Sequence, residues 1–242
     1  VKGVILAGGT GSRLFPLTKV TNKHLLPVGR VPMIYYPISK MTQAGIEEIL
    51  IVTGVENMGD VVNLLGSGRE FNCHFTYKVQ DEAGGIAHAL ALAENFAGND
   101  KMVVLLGDNI FSGEITPFVQ EFEQHSSGAM VLLKEVSDPG RYGVATVVDG
   151  VVKTIVEKPT EPESNLAVTG IYFYDNSVFD CIRKLEPSRR GELEITDVNN
   201  HYLHSGQLFS AVLPGWWTDA GTFESLAHAN RLLQEQNDGD IR

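Results

Sequence analysis

Short apolar runs rich in β-branched residues recur along the chain, and most are followed by a longer amphipathic stretch. That alternation is the pattern of βαβ units around a mostly parallel sheet. Strands are expected at 4–6, at 48–53 (EILIVT, apolar on both faces) and at 102–106 (MVVLL), with a half-exposed strand at 73–79. Between them, helical spacing appears at 32–44, which ends at Gly45, at 58–65, which ends at Gly66, and at 86–96. Beyond residue 112 a helix at 116–124 precedes strands at 129–136, 143–148 and 151–157, the last two joined by the hairpin dipeptide Asp149-Gly150. A strand at 166–174, helices at 178–185 and 196–204, a strand at 208–212 and a helix from 222 to 236 complete the chain. No repeat, low-complexity tract or linker interrupts it. Residues 1–242 therefore read as one α/β domain, with a nucleotide-type half to about 112 and a more antiparallel half with a closing helix from about 113.

A chain of 242 residues is long enough to bury a large core without metal or disulfide staples, and 43% hydrophobic residues exclude a disordered acidic chain. The 19 Lys and Arg against 30 Asp and Glu give a formal net charge of −11, which argues against nucleic-acid polymers and anionic membranes as partners. It leaves room for a small anionic substrate met by a few local cations. Cys73 and Cys181 have no metal-like spacing and read as free, buried thiols of a reducing compartment. Residues 3–7 are too short an apolar run for a signal peptide, and no segment approaches the ~20 apolar residues of a membrane span. A cytoplasmic protein is expected.

The first strand runs into Leu6-Ala7-Gly8-Gly9-Thr10-Gly11-Ser12-Arg13. Dense glycine lets backbone N–H groups approach an anion, and Arg13 adds a planar cationic fork suited to phosphate oxygens. Lys23 supplies a second cation in Lys23-His24-Leu25-Leu26-Pro27-Val28. The dinucleotide fingerprint fails because Leu14 stands where its third glycine would be, and no Gly-Lys-Ser/Thr of a P-loop occurs. A plain tight turn is the simpler alternative; glycine density together with Arg13 favours phosphate.

Asp108 follows the buried strand 102–106, at the strand end where open α/β sheets bind ligands, and could hold Mg²⁺ against phosphate oxygens. Gly107-Asp108-Asn109 is equally good turn chemistry. Asp219, between a strand and a helix, is the second candidate, with a helix-start role as its alternative. Glu157 and Lys158 stand where Pro159 ends a strand, and a bend there would turn both to one ligand. By themselves they read as a solvated surface pair.

Eight blocks in order, LAGGTGSRL, KHLLPV, PMIYYPI, LLGDN, EKP, VTGIYFYD, RGELEITD and WTDAGT, resemble the sugar-1-phosphate nucleotidylyltransferases over nearly the whole chain. The resemblance implies a Rossmann-like three-layer sandwich with a mixed, mostly parallel central sheet and an antiparallel sugar-binding part. It implies that the phosphate of glucose 1-phosphate attacks the α-phosphorus of dTTP and expels pyrophosphate, with UTP or another sugar phosphate as the alternative. Residue by residue, it implies that Leu6, Ala7, Gly8, Gly9 and Gly11 form the nucleotide loop. Arg13 and Lys23 would hold the leaving pyrophosphate, Asp108 and Asp219 would bind Mg²⁺, and Lys158 would steer the attacking phosphate. Tyr142, Gly143, Glu157 and Val168, with Thr169 and Gly170, would shape the sugar pocket. Gln80 and Gly85 would read the base, Gln80 by a paired amide contact. A homotetramer is the family tendency.

The chain departs from the pattern at His24, where relatives often carry Gln, and at 80–86, where an acidic segment with a doubled glycine replaces a Pro and a single Gly. It also stops at Arg242, whereas long-form relatives continue with a helical extension that helps form subunit contacts and an inhibitory nucleotide site, a departure that puts feedback control at that site in doubt. A non-catalytic, regulatory relative would have lost Arg13, Lys23, Asp108, Lys158 or Asp219, and all five are present. His201 and His204, three apart on a helix, read as surface residues rather than metal ligands. Trp216 and Trp217 read as packing before stacking on a ligand, and 191–194 serves equally as the start of a helix.

Overall fold

Successive residues of the first strand face opposite ways, and each side meets its own apolar layer. Val4 and Leu6 join Leu50, Val52 and Val104 in one buried cluster, whereas Ile5 and Ala7 join Ile49, Ile51, Val103 and Leu105 in another. A sheet buried on both faces requires helices on both, which is the three-layer arrangement.

The structure is a computed structural model describing residues 1–239. In chain order its elements are β1 (Lys2–Ala7), β2 (Pro27–Val28), β3 (Val31–Pro32), α1 (Tyr35–Gln43), β4 (Glu48–Gly54), α2 (Met58–Leu65), β5 (His74–Gln80), α3 (Ile86–Ala91), α4 (Glu94–Ala97), β6 (Met102–Leu106), β7 (Asn109–Phe111), α5 (Thr116–Gln124), β8 (Ala129–Glu135), β9 (Gly143–Val148), β10 (Val151–Glu157), β11 (Leu166–Tyr174), α6 (Val178–Ile182), α7 (Ile195–His204), β12 (Leu208–Val212), β13 (Trp217–Asp219) and α8 (Phe223–Gly239). Three expected helices differ. The first begins at Tyr35 because Pro32 pairs with Pro27 in a two-stranded ribbon, the stretch 86–96 breaks between α3 and α4, and α6 stops at Ile182.

The main sheet has nine strands, in the order β10-β9-β11-β6-β1-β4-β5, with β8 on β11 and β12 on β8. Its first half is parallel, through β6–β1, β1–β4 and β4–β5. Its second half is antiparallel apart from β12–β8. Strand β11 joins the halves. One of its edges pairs with β8 at 166–168 and 172–174, with a register irregularity between Val168 and Tyr172. The other is shared, with Ala167 on Val144 of β9 and 171–174 on β6. An edge accepts one partner at a time, so β9 and β6 part at Thr169–Gly170, and the sheet forks there.

A second ribbon, β7–β13, pairs Trp217 with Phe111 and Asp219 with Asn109. It packs with β2, Ala220 and α8 in a third apolar cluster of Val28, Met33, Ile110, Ala220 and Ala229. A reciprocal cap starts α8: Ser225 N donates to Thr222 Oγ1 at 3.2 Å, and Thr222 N donates to Ser225 Oγ at 3.1 Å. Among the described residues no helix is long and apolar enough to cross a membrane.

Candidate active site

A cavity of about 550 Å³ opens at the fork, over the C-terminal ends of β1 and β6, and its size is within the usual range for small-molecule sites. Five Lys and Arg side chains and five Asp and Glu side chains line it, so a chain that is acidic overall gathers here a balanced set of charges.

The glycine loop forms one wall. Gly9 (φ 89°) and Gly11 (φ 61°) take left-handed conformations that a side chain would strain. A Cβ on Gly8 would stand 2.8 Å from Gln80 Oε1, so the loop approaches β5 only because Gly8 has none. Leu6, Gly8, Gly9 and Arg13 face the cavity. Ala7 and Gly11, expected among the nucleotide contacts, are outside its lining and brace the loop from behind. The Ala7 carbonyl accepts from Asn22 Nδ2 at 3.2 Å, and the Gly11 carbonyl accepts from Thr18 Oγ1 at 2.7 Å.

Asp108 follows β6, and its carboxylate is gripped on both oxygens. Lys23 Nζ donates to Oδ2 at 2.5 Å and Asn109 Nδ2 donates to Oδ1 at 3.0 Å. Burial alone would raise its pKa, but the Lys23 charge and these hydrogen bonds outweigh it and hold the group well below the usual carboxylate range. The adjacent His24 is pushed the other way. Burial, helped by the Lys23 charge, lowers its pKa to about 3, so the imidazole is neutral, with Nδ1 on Asn22 Oδ1 at 2.7 Å.

The β7–β13 pairing carries Asp219 to the same place, since its neighbour Ala220 donates from N to the Asp108 carbonyl at 2.8 Å. Asp219 Oδ1 accepts from Tyr142 OH at 2.9 Å and from Arg141 Nη2 at 3.2 Å. Burial and the neighbouring Asp219 raise the Tyr142 pKa, so the phenol stays protonated and donates. A Cβ on Gly221 would stand 2.9 Å from Arg13 Nη2, 3.3 Å from Asp219 Oδ2 and 3.4 Å from Asp108 Oδ2. Two carboxylate oxygens and a guanidinium thus converge on one point. An all-oxygen pair suits Mg²⁺, which takes one or two carboxylates and completes its octahedron with water and phosphate oxygens.

Across the fork, Glu157 and Lys158 do turn to one side. Lys158 takes φ 43°, a left-handed conformation rare for a side-chain-bearing residue, and its Nζ lies 3.6 Å from Glu157 Oε1. Both line the cavity, so the solvated-pair reading is replaced. The β10–β9 pairing sets Gly143 opposite Glu157, and Lys158 N donates to the Tyr142 carbonyl at 2.9 Å. Glu157 Oε2 accepts from Thr196 Oγ1 at 2.6 Å. Val168, Gln80 and Gly85 also face the cavity.

Sequence reasoning missed Asn109, Arg141 and Arg190. Asn109 is 2% exposed and ties three elements together. Its Oδ1 accepts from Gly170 N at 3.0 Å and from Trp217 Nε1 at 2.7 Å, while its Nδ2 holds Asp108. Arg190 reaches Glu194 through Nε and Nη2 and Glu157 through Nη2. The block 191–194 carried the one available signal, because Glu192 and Glu194 line the cavity beside that arginine. Trp217 packs edge-on against Tyr142, 5.1 Å between ring centres, as well as facing the cavity. His201 and His204 are exposed on α7 and remote from this lining.

A glycine loop, cations and convergent carboxylates at the ends of parallel strands define a class of α/β protein built to handle phosphate-bearing ligands. The sequence profile of the nucleotidyl transferase family matches residues 2–236, and the chain belongs to that enzyme family. It is 44% identical, over 97% of its length, to a low-salt glycan biosynthesis nucleotidyltransferase from Haloferax volcanii, and spans 66% of that relative, just under two thirds. A glucose-1-phosphate thymidylyltransferase from Neisseria meningitidis serogroup A is 44% identical over 97% of this chain and 83% of its own. A Bacillus anthracis protein crystallised with sucrose, provisionally described as a glucose-1-phosphate thymidylyltransferase, is 62% identical with a TM-score of 0.92, covering 96% of this chain and 94% of its own.

Proposed function

We propose that this enzyme transfers a thymidylyl group from dTTP to glucose 1-phosphate, releasing pyrophosphate and forming dTDP-glucose. The observation that carries the reading is the convergence of Arg13, Asp108 and Asp219 on the point beside Gly221, opposite Lys158 across the fork. Relatives named for this reaction support the choice of substrates. Transfer at phosphorus depends mainly on positioning and on stabilising charge, which is what these residues offer. Backbone N–H groups of the glycine loop cradle the triphosphate, and Arg13 and Lys23 take up the charge growing on the leaving pyrophosphate. Lys158 and Arg190 hold the attacking phosphate, and Glu157 accepts from sugar hydroxyls. Asp108 and Asp219 would hold Mg²⁺, which when bound neutralises phosphate charge and fixes the triphosphate geometry.

The test is a matrix of dTTP, UTP, dCTP and dATP against several sugar 1-phosphates, with pyrophosphate as the readout. Release is expected to need both substrates and Mg²⁺, and to be fastest with dTTP and glucose 1-phosphate. Release by dTTP alone, or with UTP preferred at equal concentration, refutes the assignment. Full activity of Asp108→Asn and Asp219→Asn would remove the metal role.

A further inference from the structure

We propose that Arg141 is a positioning residue that keeps the cation place at Asp219 filled until a divalent metal arrives, and that it then turns outward to Glu224; this rests on the reading of Asp108 and Asp219 as the metal pair. Both carboxylates already carry a cation, Lys23 on Asp108 and Arg141 on Asp219. Lys23 has the pyrophosphate group to turn to on that reading, whereas Arg141 needs an anion of the protein's own. A single nitrogen, Nη2, lies 3.2 Å from Asp219 Oδ1 and 3.4 Å from Oδ2, and Oδ2 is the oxygen that stands with Asp108 Oδ2 beside Gly221. A metal and this guanidinium therefore compete for one carboxylate.

A second place for the guanidinium lies next door. Arg141 and Tyr142 line the catalytic cavity and also an adjoining one of about 440 Å³, whose wall carries Glu135, Asp138 and Glu224. The Arg141 side chain is 38% exposed against 14% for Asp219, so it is the member of the pair with room to move. Its guanidinium carbon stands 5.3 Å from the centre of the Tyr142 ring, which borders both cavities. The Glu224 carboxyl is held below its ordinary value by its own backbone N–H and the Thr222 hydroxyl, and also by the charge of Arg141. It is therefore ionised and already within the field of that arginine, which singles it out as the destination. Tyr142 OH can stay on Asp219 Oδ1 throughout, so the carboxylate keeps its orientation while its counter-cation changes.

The test is a titration of Mn²⁺, read by electron paramagnetic resonance, into the nucleotide-free wild type, Arg141→Met, Arg141→Gln, Glu224→Gln and the double variant Arg141→Met/Glu224→Gln. Competition lowers the apparent affinity by the fraction of molecules in which Asp219 is free. Arg141→Met and Arg141→Gln should therefore bind Mn²⁺ about fivefold more tightly than the wild type, and Glu224→Gln about twofold more weakly. In the Arg141→Met background Glu224→Gln should change nothing, because the arginine it receives is gone. Unchanged or weaker binding by both Arg141 variants overturns the proposal, since a residue that merely orients Asp219 gives that result. A Glu224→Gln effect that is absent, or equal in both backgrounds, overturns it as well, the latter being the mark of charge acting through space. So does Mn²⁺ bound by none of the five proteins. If Asp108→Asn and Asp219→Asn also leave the Mg²⁺ demand of pyrophosphate release unaltered, the metal reading itself fails with it.

Discussion

Gly170→Ala puts to the test the role of Asn109 as the pivot between the fork and the carboxylates. A Cβ at Gly170 would stand 2.7 Å from Cγ, Oδ1 and Nδ2 of Asn109. Asn109 has nowhere to retreat, because its amide is held by Gly170 N, Trp217 Nε1 and Asp108 Oδ1 at once. Overpacking of this kind costs about 1–3 kcal/mol. Displacing the amide also loses two or three buried hydrogen bonds at about 1 kcal/mol each, for a total of roughly 3–6 kcal/mol. At about 2–4 °C per kcal/mol for a chain of this length, the melting temperature should fall by roughly 10 °C. Calorimetry of the ligand-free protein measures that fall. Titration of Mg²⁺ against pyrophosphate release should show a raised half-saturation, because Asp108 loses the amide that orients it. A melting temperature within about 2 °C of wild type, with unaltered Mg²⁺ dependence, would refute the pivot.

Tyr142→Phe removes the hydroxyl that donates to Asp219 and keeps the ring against Trp217. The Mg²⁺ half-saturation should rise about five- to tenfold with little change in melting temperature, and an unchanged Mg²⁺ requirement would sink the idea that Tyr142 orients the carboxylate. His24→Gln addresses pH. Burial keeps the folded imidazole neutral to about pH 3, while the unfolded chain takes up its proton near pH 6.5. Stability is therefore fully present above that value and falls with pH, by up to about 1.4 kcal/mol per unit between about pH 6 and 4. Asp108, with its lowered folded pKa, adds loss in the same direction but only below the ordinary carboxylate range. His24→Gln should flatten the curve above about pH 4.5, and a slope equal to wild type would refute the assignment.

The long elements were legible because their apolar periodicity spans enough residues to be read, as in β4, β6 and β11. The loop Gly8–Arg13 was legible because glycine density has few other uses. The ribbons β2–β3 and β7–β13 were not, since two- and three-residue strands carry no period and their pairing partners are set by tertiary contact. That is why Asp219 was found as an acid at a strand end, while the reason it meets Asp108 was invisible. Glu157 and Lys158 show a different limit. Residue identity suggested two faces of a strand, and only the left-handed turn at Lys158 brings them to one. Arg141 and Asn109 lack a local signal altogether, because each draws its meaning from a partner distant in sequence, and Arg190 had only the neighbouring block 191–194 to point to it.

The two partners on one edge of β11 have a mechanical consequence. From Ala167, which pairs with β9, to Ile171, which pairs with β6, there are only four residue steps of one continuous strand, with a register irregularity between Val168 and Tyr172. The wall beside Glu157 and Lys158 and the floor above Asp108 are rungs of one ladder, not faces of two bodies that must swing together. Covalent backbone is the ruler between them. A longer reach between the two substrates would therefore have to come from residues added to β11 itself, between the rungs.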